Sequence, residues 1–228
     1  MRKIICTAAL LLAGALGAAA QSLTTQELEK YAEKQYGETW VKAAKRLEKD
    51  FTIDANGAFT CQQVIEAAGK SREQLYVLLN YWFTSALNTS DYSIRLNDKD
   101  MGKIIVQGYV DNIAENTGLL NQYFVSIAPV IKCDIKEGRV RVTCSIPFFD
   151  VVRMEGGQRP TKDSPGIPPE RHDEQWPMES CYPLYKKDQH KRTSSKAMVM
   201  SLAYSRVMMD RIARCIRNAQ AEDEDDDW

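Results

Sequence analysis

Residues Tyr123–Phe148, YFVSIAPVIKCDIKEGRVRVTCSIPF, decide the fold. Ile131, Cys133 and Ile135 alternate with Lys132, Asp134 and Lys136. After Lys136-Glu137-Gly138-Arg139, the apolar residues Val140, Val142, Cys144 and Ile146 alternate with Arg141, Thr143 and Ser145. A side-chain period of two with one apolar face marks a half-buried antiparallel pair. Closing the turn at Glu137-Gly138 sets Ile135 opposite Val140, Cys133 opposite Val142 and Ile131 opposite Cys144. The apolar side chains then share one face, and a slip of one residue would put them all in water. The other face carries Lys132, Asp134, Lys136, Arg139, Arg141 and Thr143.

Outward from the hairpin, Asp54-Ala55-Asn56-Gly57 is a turn signal, and Ala58 to Glu66 reads as the first strand. Phe59, Cys61 and either Val64 or Ile65 supply its apolar contacts. Ser71-Arg72-Glu73-Gln74 is a capping box. Leu75, Leu78, Leu79, Trp82, Phe83 and Leu87 follow at helical spacing, which predicts a core-facing helix. Tyr92 to Asn97 and Gly102 to Val110 read as strands around Asp98-Lys99-Asp100. Residues Asn112 to Asn121 read as a loop.

Met1 to Ala20 has the form of a secretory signal. Arg2 and Lys3 are the positive region, Ile4 to Leu16 the apolar run, and Ala18-Ala19-Ala20 the small-residue cleavage site. The run is short for a membrane span, and no later stretch is long and apolar enough. The expectation is an exported chain, periplasmic or extracellular, with no transmembrane segment. Residues 21–50 follow as an N-terminal helix, capped from Thr24 by Glu27 and interrupted at Gly37.

Between Glu155 and Lys196 the composition changes. Six of the eight prolines fall here, and the stretch reads as a long loop. Trp176, Tyr182 and Tyr185 predict that its second half packs back on the domain. Residues 197–218 form a final helix, with Met198, Leu202, Met209, Ile212 and Ile216 on a core face and Arg206, Asp210, Arg214 and Arg217 on the other. Residues 219–228 are an acidic tail, expected to be solvated.

Charge and cysteine content narrow the function classes. Without Arg2 and Lys3, 28 basic residues face 31 acidic ones, and six of those acids lie in Glu222–Asp227. The body is only slightly basic, which argues against nucleic acid as a partner. The remaining cysteines, Cys61, Cys133, Cys144, Cys181 and Cys215, are odd in number and read as buried thiols. Cys133 and Cys144 lie diagonally on one hairpin face, not directly opposed. No CxxC spacing, phosphate loop, GxSxG elbow or HExxH is present. His172, Cys181 and His190 are spaced too widely to suggest a metal site. No cofactor and no catalytic constellation are expected.

Several of these residues carry a resemblance. Gly69-Lys70-Ser71 before the helix, Leu75-Tyr76 and Trp82-Phe83 within it, Val106-Gln107-Gly108 on a strand, and Ile131 through Arg141 on the hairpin resemble a domain of unknown function found in exported proteins of Bacteroidetes. That domain looks like half of the TATA-binding-protein saddle. The resemblance covers about residues 51 to 150, and more faintly Trp176 to Tyr185 with the last helix. It implies a fold and no activity, and a shared fold does not confer DNA binding.

The expectation is therefore α+β: a curved antiparallel sheet, strand-helix-strands-helix, with the core in residues 51–154 and an extra N-terminal helix. The expected function is a non-enzymatic envelope module that binds a protein or another macromolecule. Lys132, Asp134, Lys136, Arg139 and Arg141 form its candidate interaction face. The alternatives are a small-ligand domain with a pocket between sheet and helices, and a hydrolase using Cys181 and His190.

Overall fold

The structure is a computed structural model and describes residues 23–37, 39–86, 91–117, 121–157, 162, 165–183 and 191–225. The expected export signal, Leu87, Tyr185 and His190 lie outside these residues.

The hairpin forms in the expected register. β7 (Val130–Lys136) pairs with β8 (Arg139–Ile146), with Ile135 opposite Val140, Cys133 opposite Val142 and Ile131 opposite Cys144. All seven inward side chains are buried. Gly138 takes the positive φ of 66° that the tight turn needs and that side chains resist. β1 (Thr52–Ile53), β2 (Phe59–Glu66), β3 (Tyr92–Asp98) and β4 (Lys103–Gly108) complete a six-stranded sheet of order β1-β2-β8-β7-β4-β3. Ile65, not Val64, points into the core.

A second sheet adds to this one. β5 (Val110–Thr117), β6 (Asn121–Ile127), β9 (Phe148–Glu155) and β10 (Glu170–Pro177) are ordered β10-β9-β6-β5. The three central strands of the first sheet, β8-β7-β4, run on into β9-β6-β5. The crossings fall at Pro147, Ala128-Pro129 and Tyr109. Proline cannot donate to a ladder, and the Pro129 carbonyl instead accepts from the Gly108 N–H at 2.8 Å. The curvature expected of one sheet is thus realised as a crease between two.

β5 and the start of β6 correct the expectation of a loop over Asn112–Asn121. The β5–β6 register shifts between Val110 and Ala114, and Asn112 sits at φ 51°. Residues 111–113 there oppose Ser126 alone, and this irregularity breaks the period of two and conceals the strand from sequence. Similarly, β10 and a short helix, α4 (Met178–Cys181), lie within the stretch 155–196 read as a loop. Trp176 is buried against the Tyr123 ring, 5.8 Å between centroids, so this half does pack back.

The N-terminal helix is divided into α1 (Thr25–Tyr36) and α2 (Trp40–Arg46). Thr24 and Glu27 form the expected capping box. α3 (Arg72–Ala86) begins at the Ser71/Gln74 box, with reciprocal bonds of 2.8 and 3.1 Å. The last helix, α5 (Lys191–Asp225), extends beyond the expected ends and fills the crease. From Thr193 to Ser205 every residue except Lys196 is buried. A helix apolar or small on all sides is one enclosed by neighbours. Both sheets and the helices α1, α2 and α3 surround it. Arg206, expected on a solvent face, instead donates to the Tyr36 hydroxyl at 3.0 Å and pairs with Asp50 at 3.1 Å. Asp210, Arg214 and Arg217 are exposed as expected.

Candidate interaction face

All the residues of the candidate face lie on the outer side of the hairpin, away from α3 and α5. Alternation places them there, because each neighbours a buried residue on the same strand. The structure brings three of them together. Asp134 pairs with Arg141 at 2.9 Å and with Lys132 at 3.2 Å. Desolvation alone would raise the Asp134 pKa; hydrogen bonds from Arg141 and Lys132 outweigh it and hold the carboxyl below its ordinary value.

The other two meet each other. Lys136 lies directly opposite Arg139 at the turn end, and both are exposed. Glu66 is the register partner of Arg139 on β2. Among the described residues, neither Lys136 nor Arg139 forms an ion pair. Like charges directly opposite on a sheet are destabilising, so fold stability gives no reason for this pair.

The sequence reading missed an apolar component. Val64 is 48% exposed and lies opposite Arg141 on β2. Leu96 on edge strand β3 is 38% exposed and is the register partner of Ile105. The alternation of β2 could have placed Val64 outside once Phe59 and Ile65 were assigned to the core. The result is a mixed face of cations and aliphatic side chains around one shielded carboxylate.

The turn end of this face is tied to the rest of the fold. The Ala67 N–H donates to the Gly138 carbonyl at 2.8 Å, and the Gly138 N–H donates to the Lys70 carbonyl at 3.0 Å. Lys70 is buried and its Nζ donates to the Ala219 carbonyl on α5 at 3.0 Å. Lys70 thus links Ala219 of α5 to the turn that presents Lys136 and Arg139.

Other candidate sites are less developed. Between α3 and the end of α5 lies an open groove of about 530 Å³, lined by Glu73, Val77, Leu78 and Tyr81 among others. Cys181 is buried, with the Ser180 hydroxyl 3.7 Å from its sulfur. His172 lies on β10 between Glu155 and Glu170, at 3.7 and 3.6 Å. Among the described residues, no group of three or more His, Cys, Asp or Glu side chains could hold a metal ion, and no helix is long and apolar enough to cross a membrane.

Fold and face together define an α+β protein with helices on one side of a creased antiparallel sheet and an open, charged outer side. Residues 62–147 match the model of a family described as a domain of unknown function (DUF4468) with TBP-like fold. The resemblance carried by the helix entry and the hairpin holds over that segment. The chain is similar to a TBP-like protein from Parabacteroides distasonis, a crystal structure, at 11% identity and TM-score 0.49, covering 72% of this chain and 96% of that one. It is also similar to the crystal structure of a DUF4468 family protein from Bacteroides ovatus, at 16% identity and TM-score 0.47, covering 72% and 88%. No curated protein matches the chain.

Proposed function

We propose that the protein is an exported, non-enzymatic module that binds an acidic protein segment on the outer face of its hairpin. The observation that supports this reading is the juxtaposition of Lys136 and Arg139, two exposed cations opposite one another that form no ion pair among the described residues. Val64 lies near them on the same face, where its burial by a partner would add a hydrophobic contribution. The cations would set orientation and association rate, with a dependence on salt.

The test is capture from an extract of the producing cells by the wild type and by the K136E/R139E double variant, with circular dichroism confirming that both fold. Support requires proteins bound by the wild type, released by raised salt and absent from the variant. The same set bound by both would overturn the reading.

The groove beside Tyr81 favours a second reading, a small-ligand site, because its volume lies within the range of ligand pockets. A fragment screen by ligand-observed NMR on the wild type and on Y81A tests it; no binder that depends on Tyr81 would remove it.

A further inference from the structure

Cys61 on β2 and Cys144 on β8 are direct register partners in the antiparallel ladder. Opposed residues in such a ladder have Cα atoms about 4.5 or 5.5 Å apart. Both spacings fall inside the range that a disulfide spans, about 4.4 to 6.8 Å. The two side chains share the inner face, since Phe59 and Ile65 flank Cys61, and Val142 and Ile146 flank Cys144, all four buried. The Ser205 hydroxyl of α5 acts on both thiols, opposing the rise of their pKa values. It donates to the Ser201 carbonyl at 2.9 Å. Two strands and the central helix therefore converge on one pair of sulfurs. The remaining cysteines have no such counterpart in the ladders: Cys133 faces Val142 and Ile104, while Cys181 and Cys215 lie on helices. The diagonal Cys133–Cys144 relation offers poorer geometry.

We infer that Cys61 and Cys144 are an oxidation site that closes to a cross-strand disulfide stapling the first strand of the core to the hairpin. Both are free thiols in this structure. Cys61 is the more exposed sulfur and is the one an oxidant reaches first. The Cys61 thiolate attacks a small-molecule or protein disulfide, forming a mixed disulfide and expelling one thiolate. The Cys144 thiolate then attacks the Cys61 sulfur and expels the second. Two thiol protons and two electrons leave with the oxidant, which is reduced to two thiols. Burial pushes the Cys144 thiol up to about 12, and burial also raises Cys61, with Ser205 opposing the rise. Few thiolates exist near neutral pH in the folded state, so closure is slow there and fast while the chain is folding.

The test refolds the full chain from denaturant with oxidised glutathione, in parallel with a sample kept in reductant. Thiols are counted under denaturing conditions, and linked peptides are mapped by mass spectrometry. The expected result is two fewer thiols than in the reduced sample and one linked pair joining the Cys61 and Cys144 peptides. The oxidised protein melts several degrees above the reduced one. C61S abolishes both effects, and C215S leaves both intact. A full complement of thiols after oxidative refolding, or a linkage that joins any other two cysteines, would overturn the inference. The wild-type peptide map decides the matter even if C61S does not fold.

Discussion

The carboxylate of Glu137, at the tip of the hairpin, accepts from the backbone N–H of Arg72 at 3.0 Å and so caps the start of α3. Two motifs of the family resemblance, Gly69-Lys70-Ser71 and the Lys-Glu-Gly-Arg turn, are thus one piece of structure. An acidic group at a helix N-terminus satisfies an orphan donor and complements the helix dipole. Glu137→Ala is expected to cost about 0.5–2 kcal/mol, read as a lower urea midpoint at unchanged slope. An unchanged midpoint would show that the Ser71/Gln74 box suffices alone.

Ile131 is fully buried at the centre of the sheet, opposite Cys144 and Val106. Ile131→Ala should cost about 2–5 kcal/mol through lost transfer energy and a residual cavity. Arg139→Ala, on the other face of the same hairpin, should stay within about 0.5 kcal/mol. Comparable losses in the two variants would contradict the assignment of inner and outer faces.

Asp134 supplies a pH-dependent contribution. Its folded pKa is lowered, so the stability it adds is present above its unfolded pKa and is lost as pH falls through the folded one. Arg141 and Lys132 are substantially exposed, so the pair is screened and is worth at most about 1 kcal/mol. Asp134→Asn should therefore be slightly less stable than the wild type at pH 7. The difference should shrink as pH falls from the ordinary carboxylate range through the lowered folded pKa of Asp134. Denaturation curves of both proteins across that interval check the prediction, and a difference that grows on acidification would contradict it.

The last residues are expected to serve solubility or binding and not the fold. Removing Glu222–Trp228 takes away the end of α5 beyond Ala219, where the Lys70 contact is retained. The thermal midpoint should be nearly unchanged at moderate ionic strength, as for other surface changes of about 0.5 kcal/mol or less. A loss of several degrees would make the acidic segment part of the folded structure.

The hairpin was legible because alternation and the Glu137-Gly138 turn specify its register without reference to the rest of the chain. The capping boxes at Thr24 and Ser71 were legible for a similar reason: each is satisfied within three residues. The second sheet was concealed where local pattern and tertiary pairing disagree. Asp111 and Asn112 look like loop residues, yet Asn112 donates from its N–H to the Ser126 hydroxyl at 3.1 Å and sits in a bulge. β10 is a polar strand, Glu170 to Gln175, stabilised by its pairing with β9 and by the bond between Arg153 and Glu174 at 2.7 Å. The first half of α5 misleads because Thr193, Ser194, Ser195, Ser201 and Ser205 are polar by type but small enough for the crease. On the candidate face, the charges followed from alternation alone. The exposed Val64 and Leu96 did not, because an apolar residue announces burial unless its strand register is known.

Site-specific photo-crosslinking in the producing cells tests the central claim most directly. A benzophenone side chain would replace Gln62, an exposed residue on the outer face opposite Thr143, and in a second protein Asp210, exposed on α5. The account predicts a dominant protein adduct from position 62 that disappears in the K136E/R139E background, with no matching adduct from position 210. Equal adducts at the two positions, or none from position 62, would contradict it.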